Sequence, residues 1–314
     1  MKLSVVSTMY RSSPFLALFY QRVSAAAQVF AGADYEIILV NDGSPDNSLD
    51  VATSLSASDP HVVVVDLSRN FGHHAAIVAG LGHATGDLVF LIDCDLEEQP
   101  EWLADFAEHM VRTRADVVYG VQHQRTAGFW SNIFGELFWR ALNAYSSVRI
   151  GHNPMTCRLM NRDYVDALLS VDDRVLYLAG VFAWTGFRQE ALPRVKSARP
   201  VAQASSYNLT RKLMQIADSF SSFSVAPLTI IFLLGLVIWL GSIGFGMTLL
   251  VRKLVAPETV LSGFASIMLS IWFLSGTMIL VLGVLGLYVA KIFQEVKRRP
   301  LYIVRNVIRS SANE

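Results

Sequence analysis

Cysteine is nearly missing from this chain. Its 314 residues hold two, Cys94 and Cys157, far apart and without metal-type spacing, which argues against a disulfide framework or structural zinc site and leaves them to be read as reduced thiols. Net charge is missing too. Twenty-six basic side chains cancel 26 acidic ones, so no global positive field exists to hold nucleic acid, and no long charge block suggests a disordered tail. Charged residues of either sign make up 17% of the chain against 53% hydrophobic, with a mean hydropathy of +0.40, a balance too apolar for an ordinary water-soluble domain of this size. The N-terminus, Met1-Lys2-Leu3-Ser4-Val5-Val6-Ser7, has no long apolar core and no small-residue cleavage site. No signal peptide is expected there, and the amino-terminal part is expected to stay in the cytoplasm.

The shortage of charge is localised. Residues 219–251 and 259–290 contain no charged side chain, and each stretch exceeds the ~20 apolar residues that cross a bilayer. Two transmembrane helices are expected. Arg211 and Lys212 precede the first and Lys291, Lys297, Arg298 and Arg299 follow the second, which places both termini in the cytoplasm. The expected organisation is a cytoplasmic domain at 1–204, an interfacial amphipathic helix at 205–223, a two-helix hairpin at 224–290 and a basic cytoplasmic tail at 291–314. Such a chain is a multi-pass protein of the inner (plasma) membrane, with the lipid bilayer as a partner and self-association left open.

Before residue 205, short β-branched runs alternate with amphipathic segments. Strands are expected at 3–7, 36–40, 62–66, 87–92 and 116–119, with helices around 15–30, 48–56, 74–83 and 101–112. The alternation predicts an α/β domain with a mostly parallel sheet, whose ligands sit beyond the carboxyl ends of the strands. Polar clusters fall at those ends: 8–12, Asn41-Asp42-Gly43-Ser44, 68–72 and Asp93-Cys94-Asp95.

Asp93 and Asp95 close an apolar run at a strand terminus. Paired carboxylates repel unless a cation joins them, and a hard divalent ion, Mg²⁺ or Mn²⁺, shared with nucleotide phosphates is the economical solution. Asn41-Asp42-Gly43-Ser44-Pro45-Asp46 has turn chemistry, yet Asp42 ends a strand, where a carboxylate accepts hydrogen bonds from a ribose or base. Within 129–148, Trp130, Phe134 and Phe138 recur at helical spacing, which suits a core-packing helix or an interfacial one.

The ordered series Val40-Asn41-Asp42-Gly43-Ser44-Pro45-Asp46, Arg69-Asn70-Phe71-Gly72, Ala79-Gly80, Ala84-Thr85-Gly86-Asp87, Asp93-Cys94-Asp95-Leu96 and Pro100-Glu101 resembles family 2 glycosyltransferases of the GT-A fold, in their polyprenyl-phosphate branch. The resemblance extends to Trp184-Thr185-Gly186-Phe187, Ser205-Ser206-Tyr207 and Arg211-Lys212-Leu213. It implies transfer of a sugar from a nucleotide donor, UDP-linked by preference, to polyprenyl phosphate, with inversion. Asp93 and Asp95 then hold the cation, and Thr8, Tyr10, Asp42, Arg69 and Asp93 line the nucleotide side. Arg125 and Arg158 match positions suited to phosphate, because a guanidinium binds it bidentately. A phosphate acceptor is already anionic and needs positioning more than a base, and Val181-Phe182-Ala183-Trp184-Thr185 contains no acid.

Three departures from the family pattern stand out. Glu97 replaces a common glutamine and is a further donor or metal contact; Ser12 replaces an acid after the first strand; Thr156 replaces an aspartate before Arg158. Two alternatives stay open: a family 2 transferase with a hydroxyl acceptor, processive or glycolipid-forming, and a non-catalytic nucleotide-sugar binding protein.

Overall fold

The computed structural model describes residues 1–122, 154–171, 173, 178–197, 237, 255 and 264–310. In chain order these form β1 (Leu3–Met9), α1 (Ser13–Ala31), β2 (Tyr35–Asn41), α2 (Ser48–Ser58), β3 (Val62–Leu67), α3 (His73–His83), β4 (Leu88–Leu91), α4 (Trp102–Thr113), β5 (Val117–Gln122), β6 (Pro154–Asn161), α5 (Arg162–Leu169), α6 (Leu178–Trp184), β7 (Gln189–Arg194), α7 (Phe264–Val296) and β8 (Val304–Ile308). The chain divides into two compact units, one carrying all eight strands and the other carrying α7.

The strands form one sheet in the order β7-β5-β6-β4-β1-β2-β3-β8. Its centre is parallel: β1 pairs with β2 and with β4, and β2 with β3. These strands are apolar on both faces, with Val5, Val6, Ile37, Ile38, Leu39, Val40, Val62, Val64 and Val65 all buried, as a sheet covered by helices on both sides requires. The α1 side chains Phe15, Phe19, Val23 and Ala27 recur every four residues and are buried, and Phe106 of α4 meets Phe90 of β4 edge-on with centroids 6.2 Å apart. The expected α/β architecture is therefore observed.

Three strands were not anticipated. β6 runs antiparallel between β4 and β5, β7 pairs parallel with β5, and β8 closes the opposite edge antiparallel to β3. The last amends the expected tail at 291–314: residues 304–308 are an edge strand of the sheet-bearing unit, whose pairing with β3 covers an edge that would otherwise be open.

The expected membrane hairpin and inner-membrane localisation are corrected. Among the described residues no helix is long and apolar enough to cross a membrane. The second charge-free run begins at Thr259, outside the described residues, and α7 starts within it at Phe264 and continues past it through Lys291 and Glu295. The expected interfacial helix at 205–223, the aromatic segment at 129–148 and nearly all of the first run lie outside the described residues.

Candidate functional site

The parallel register brings the carboxyl ends of β1, β2, β3 and β4 to one edge. Thr8 is opposite Val40, Asn41 is opposite Asp66, and Val6 is opposite Leu91, so the four polar clusters expected beyond the strands lie together.

Asp42 follows the last residue of β2 and is 3% exposed. Its carboxylate accepts hydrogen bonds from the backbone N–H groups of Phe71 (2.7 Å) and Gly72 (3.1 Å). Burial pushes its pKa up despite those two donors and the nearby His73 and Arg69. The turn is possible because Gly43 has φ +58°, and a Cβ there would run into the backbone of Arg69 and Asn70. The next acid, Asp46, accepts from Ser44 Oγ, Ser48 Oγ and the N–H groups of Ser13 and Ser48. Burial opposes its ionisation, but these donors hold its carboxyl well below the usual range.

Asp93 and Asp95 lie just past β4. The loop is anchored from beneath by Cys94, whose Sγ donates to Thr8 O at 3.1 Å, and burial raises that thiol to about 12. Asp95 Oδ1 accepts from Glu97 N at 3.1 Å, across a left-handed Leu96 at φ +62°. That conformation is uncommon for a leucine and reverses the chain directly after the paired acids. Glu97 meets Lys196 Nζ at 3.1 Å, and the loop is pinned by Ser197 N on Glu97 O at 2.9 Å. The charges of Glu98 and Glu97 hold the Lys196 pKa up against burial.

Two residues here were missed by sequence reasoning. His73, at the start of α3, places Nδ1 3.1 Å from Thr8 Oγ1 and Nε2 3.6 Å from Asp93 Oδ1. Only its place next to Gly72 in the third polar cluster signalled it. Glu98 is fully buried, with Oε2 3.4 Å from Asp93 N and Oε1 without a hydrogen-bond partner. Burial, reinforced by the Asp93 charge, lifts its pKa to about 8. No spacing rule distinguishes it from the solvated acids beside it.

The remaining expected residues are divided. Tyr10 is 48% exposed at the same edge. Arg69 lays its guanidinium over the Phe71 ring, 4.1 Å from the centroid, and donates to Asn70 O. Arg158 sits on β6 opposite Leu91 and Tyr119 and is 4% exposed. It donates to Met155 O and Thr156 O, both at 3.2 Å, and stacks on Phe182 of α6 at 3.4 Å. Those contacts fasten α6 to β6. Arg125 lies outside the described residues.

Among the described residues no group of three or more His, Cys, Asp or Glu is arranged to hold a metal. Two strand-end carboxylates with Glu97 beside them are oxygen donors of the type that Mg²⁺ or Mn²⁺ takes when phosphates complete its shell.

The chain is 42% identical to a Mycobacterium tuberculosis glycosyltransferase, over 98% of this chain and 88% of that protein. It is 33% identical to the bactoprenol glucosyl transferase of Shigella phage SfV, over 98% of this chain and 99% of that one. A solved mannosyltransferase of Pyrobaculum calidifontis, in complex with GDP-Man and Mn²⁺, aligns over 95% of this chain and 86% of its own with 15% identity and a TM-score of 0.49. A family model for glycosyl transferase family 2 matches residues 4–169, the stretch that holds β1–β4 and every strand-end cluster. The chain is a glycosyltransferase of the GT-A fold and belongs to family 2.

Proposed function

We propose that this enzyme transfers a sugar from a nucleoside diphosphate donor, UDP-linked by preference, to polyprenyl phosphate with inversion at the anomeric carbon. The observation that carries the reading is the end-to-end relationship, at 33% identity, to a bactoprenol glucosyl transferase. In the reaction an acceptor phosphate oxygen bonds to the anomeric carbon from the face opposite the leaving group. The bond to the nucleoside diphosphate breaks, and the diphosphate departs with the electron pair.

The residues support a division of labour. Asp42, Thr8, Tyr10 and Arg69 receive the nucleoside. Asp93 and Asp95, with Glu97 as a further contact, would hold a divalent cation, which when bound supplies charge neutralisation for the departing diphosphate. His73 orients Asp93 through its ring. The acceptor needs no deprotonation, consistent with the absence of acid at 181–185, and Arg125 is the arginine proposed to meet its phosphate.

Purified full-length protein, Mn²⁺ and a panel of nucleotide sugars test the reading, with undecaprenyl phosphate or undecaprenol of equal length as acceptor. Transfer to the phosphate alone is expected. Efficient glycosylation of the bare alcohol would overturn the phosphate-acceptor mechanism, and hydrolysis of donor without either acceptor being used would overturn the acceptor class.

A further inference from the structure

We propose that Arg305, in the C-terminal strand, is a positioning residue that holds the two loops around Asp42 in donor-binding geometry. The inference rests on the reading of that edge as the nucleotide side. It begins with a register fault. Asp66 pairs with Asn306 and Leu67 with Val304, so the β3–β8 ladder shifts between Asp66 and Leu67 and leaves Arg305 as the extra residue. A bulge of this kind re-aims a side chain. Here Arg305 Nη1 lies 3.3 Å from Asp66 Oδ2, and Nη2 donates to Ser68 O at 2.6 Å.

Each contact leads to one of the loops that meet at Asp42. Asp66 has a side chain only 5% exposed, so its charge needs partners. Its other oxygen accepts from Asn41 Nδ2 at 2.8 Å. Asn41 Oδ1 in turn accepts from Ser44 N at 3.1 Å, which closes the turn that carries Asp42. On the second arm Ser68 is held twice, through its carbonyl by Arg305 and through its N–H by Ile303 O at 2.9 Å. Ser68 starts the loop whose Phe71 and Gly72 amides donate to Asp42, and whose Asn70 Nδ2 donates to Asp42 O at 3.1 Å. One guanidinium thus ties the ends of β2 and β3 to a strand that arrives from the far end of the sequence. Its planar fork reaches a carboxylate and a carbonyl at once, whereas an ammonium is a single point of charge.

Full-length Arg305→Gln and Arg305→Lys proteins, with Asp66→Asn as a second variant, test this by hydrogen exchange and kinetics. Peptides covering 41–46 and 68–73 are expected to exchange about 10-fold faster in Arg305→Gln, the scale of one lost charge-assisted hydrogen bond, while β1 and β4 peptides stay as in the parent. The KM for UDP-glucose should rise ~3–10-fold with the undecaprenyl phosphate KM unchanged, and Arg305→Lys should restore part of the loss. Combining Arg305→Gln with Asp66→Asn should add little to either single change. Unchanged exchange in both loops would overturn the proposal, as would faster exchange spread over the whole sheet with no change in donor KM. A parent protein that transfers nothing to polyprenyl phosphate would overturn the functional reading alone, since the exchange measurement still decides the role of Arg305.

Discussion

His73 faces Asp93 across 3.6 Å, Nε2 to Oδ1, while its other ring nitrogen lies 3.1 Å from Thr8 Oγ1. One imidazole at the start of α3 therefore links the ends of β1 and β4, which the sheet brings side by side but whose side chains the ladder does not orient. Residues that orient a metal-binding carboxylate typically change affinity or activity 10–100-fold when removed. His73→Ala is expected to lower transfer within about that range, chiefly by raising the Mn²⁺ concentration needed for half-maximal rate. A variant with parent-like Mn²⁺ dependence would make the imidazole a bystander.

Asp95→Asn removes a charge without changing side-chain size, and the loop geometry set by Leu96 stays available. Loss of one group that stabilises transition-state charge costs about 10²–10³ in rate. The rate at saturating Mn²⁺ should fall by that much with an unaltered melting temperature. Near-parent rates in both saturating and limiting Mn²⁺ would remove Asp95 from the cation site.

The centre of the fold was legible because its strands obey the simplest pattern: 37–40 and 62–65 are apolar throughout, and amphipathic segments separate them. The edges were not. β7 carries Gln189, Glu190 and Arg194, and β8 is five residues long within a segment that reads as a basic tail. Strand ends were legible for the same reason as the centre, which is why Asp42, Asp93 and Asp95 were expected just past the strands they follow. What escaped depends on three-dimensional approach: His73 meets Asp93 from an element 20 residues earlier, Glu98 is buried among acids that resemble it in sequence, and Arg305 reaches Asp66 from the opposite end of the chain. The apolar runs after residue 218 show the converse. Composition suggested spans, and no described helix meets the length and apolarity that a span needs.

Asp46 gives a pH prediction. Its carboxylate accepts from the first residue of α1, Ser13, and from Ser44 and Ser48, so it serves two helix N-termini, where negative charge is favourable. Its folded-state pKa is depressed against the pull of burial. A depressed acid adds stability that is fully present above its unfolded pKa of ~3.9 and is lost as pH falls through the folded value. Asp46→Asn should therefore cost about 1–3 kcal/mol near neutral pH, and the gap to the parent should shrink steadily as pH drops below ~4. Urea midpoints measured across that range check it, and a gap independent of pH would show that the charge of Asp46 contributes nothing.

Arg158 separates packing from catalysis. Its guanidinium is buried, donates to Met155 O and Thr156 O, and lies over the Phe182 ring, 3.4 Å from the centroid. Burial lowers its pKa, opposed by nearby groups that include Tyr164 and Glu98. A lysine keeps the charge but loses the planar stack and the divergent donors. Arg158→Lys is therefore expected to destabilise the fold by about 2 kcal/mol, the scale of a desolvated cation–π contact. In the protein that remains folded, the KM for undecaprenyl phosphate should match the parent, because α6 is held less firmly but no acceptor contact is lost. The opposite pattern, an unchanged melting temperature with a raised acceptor KM and an unchanged donor KM, would return Arg158 to the phosphate and make the stack on Phe182 incidental. Measuring melting temperature and both KM values on one preparation distinguishes the two, since packing loss moves the first and phosphate loss moves only the second.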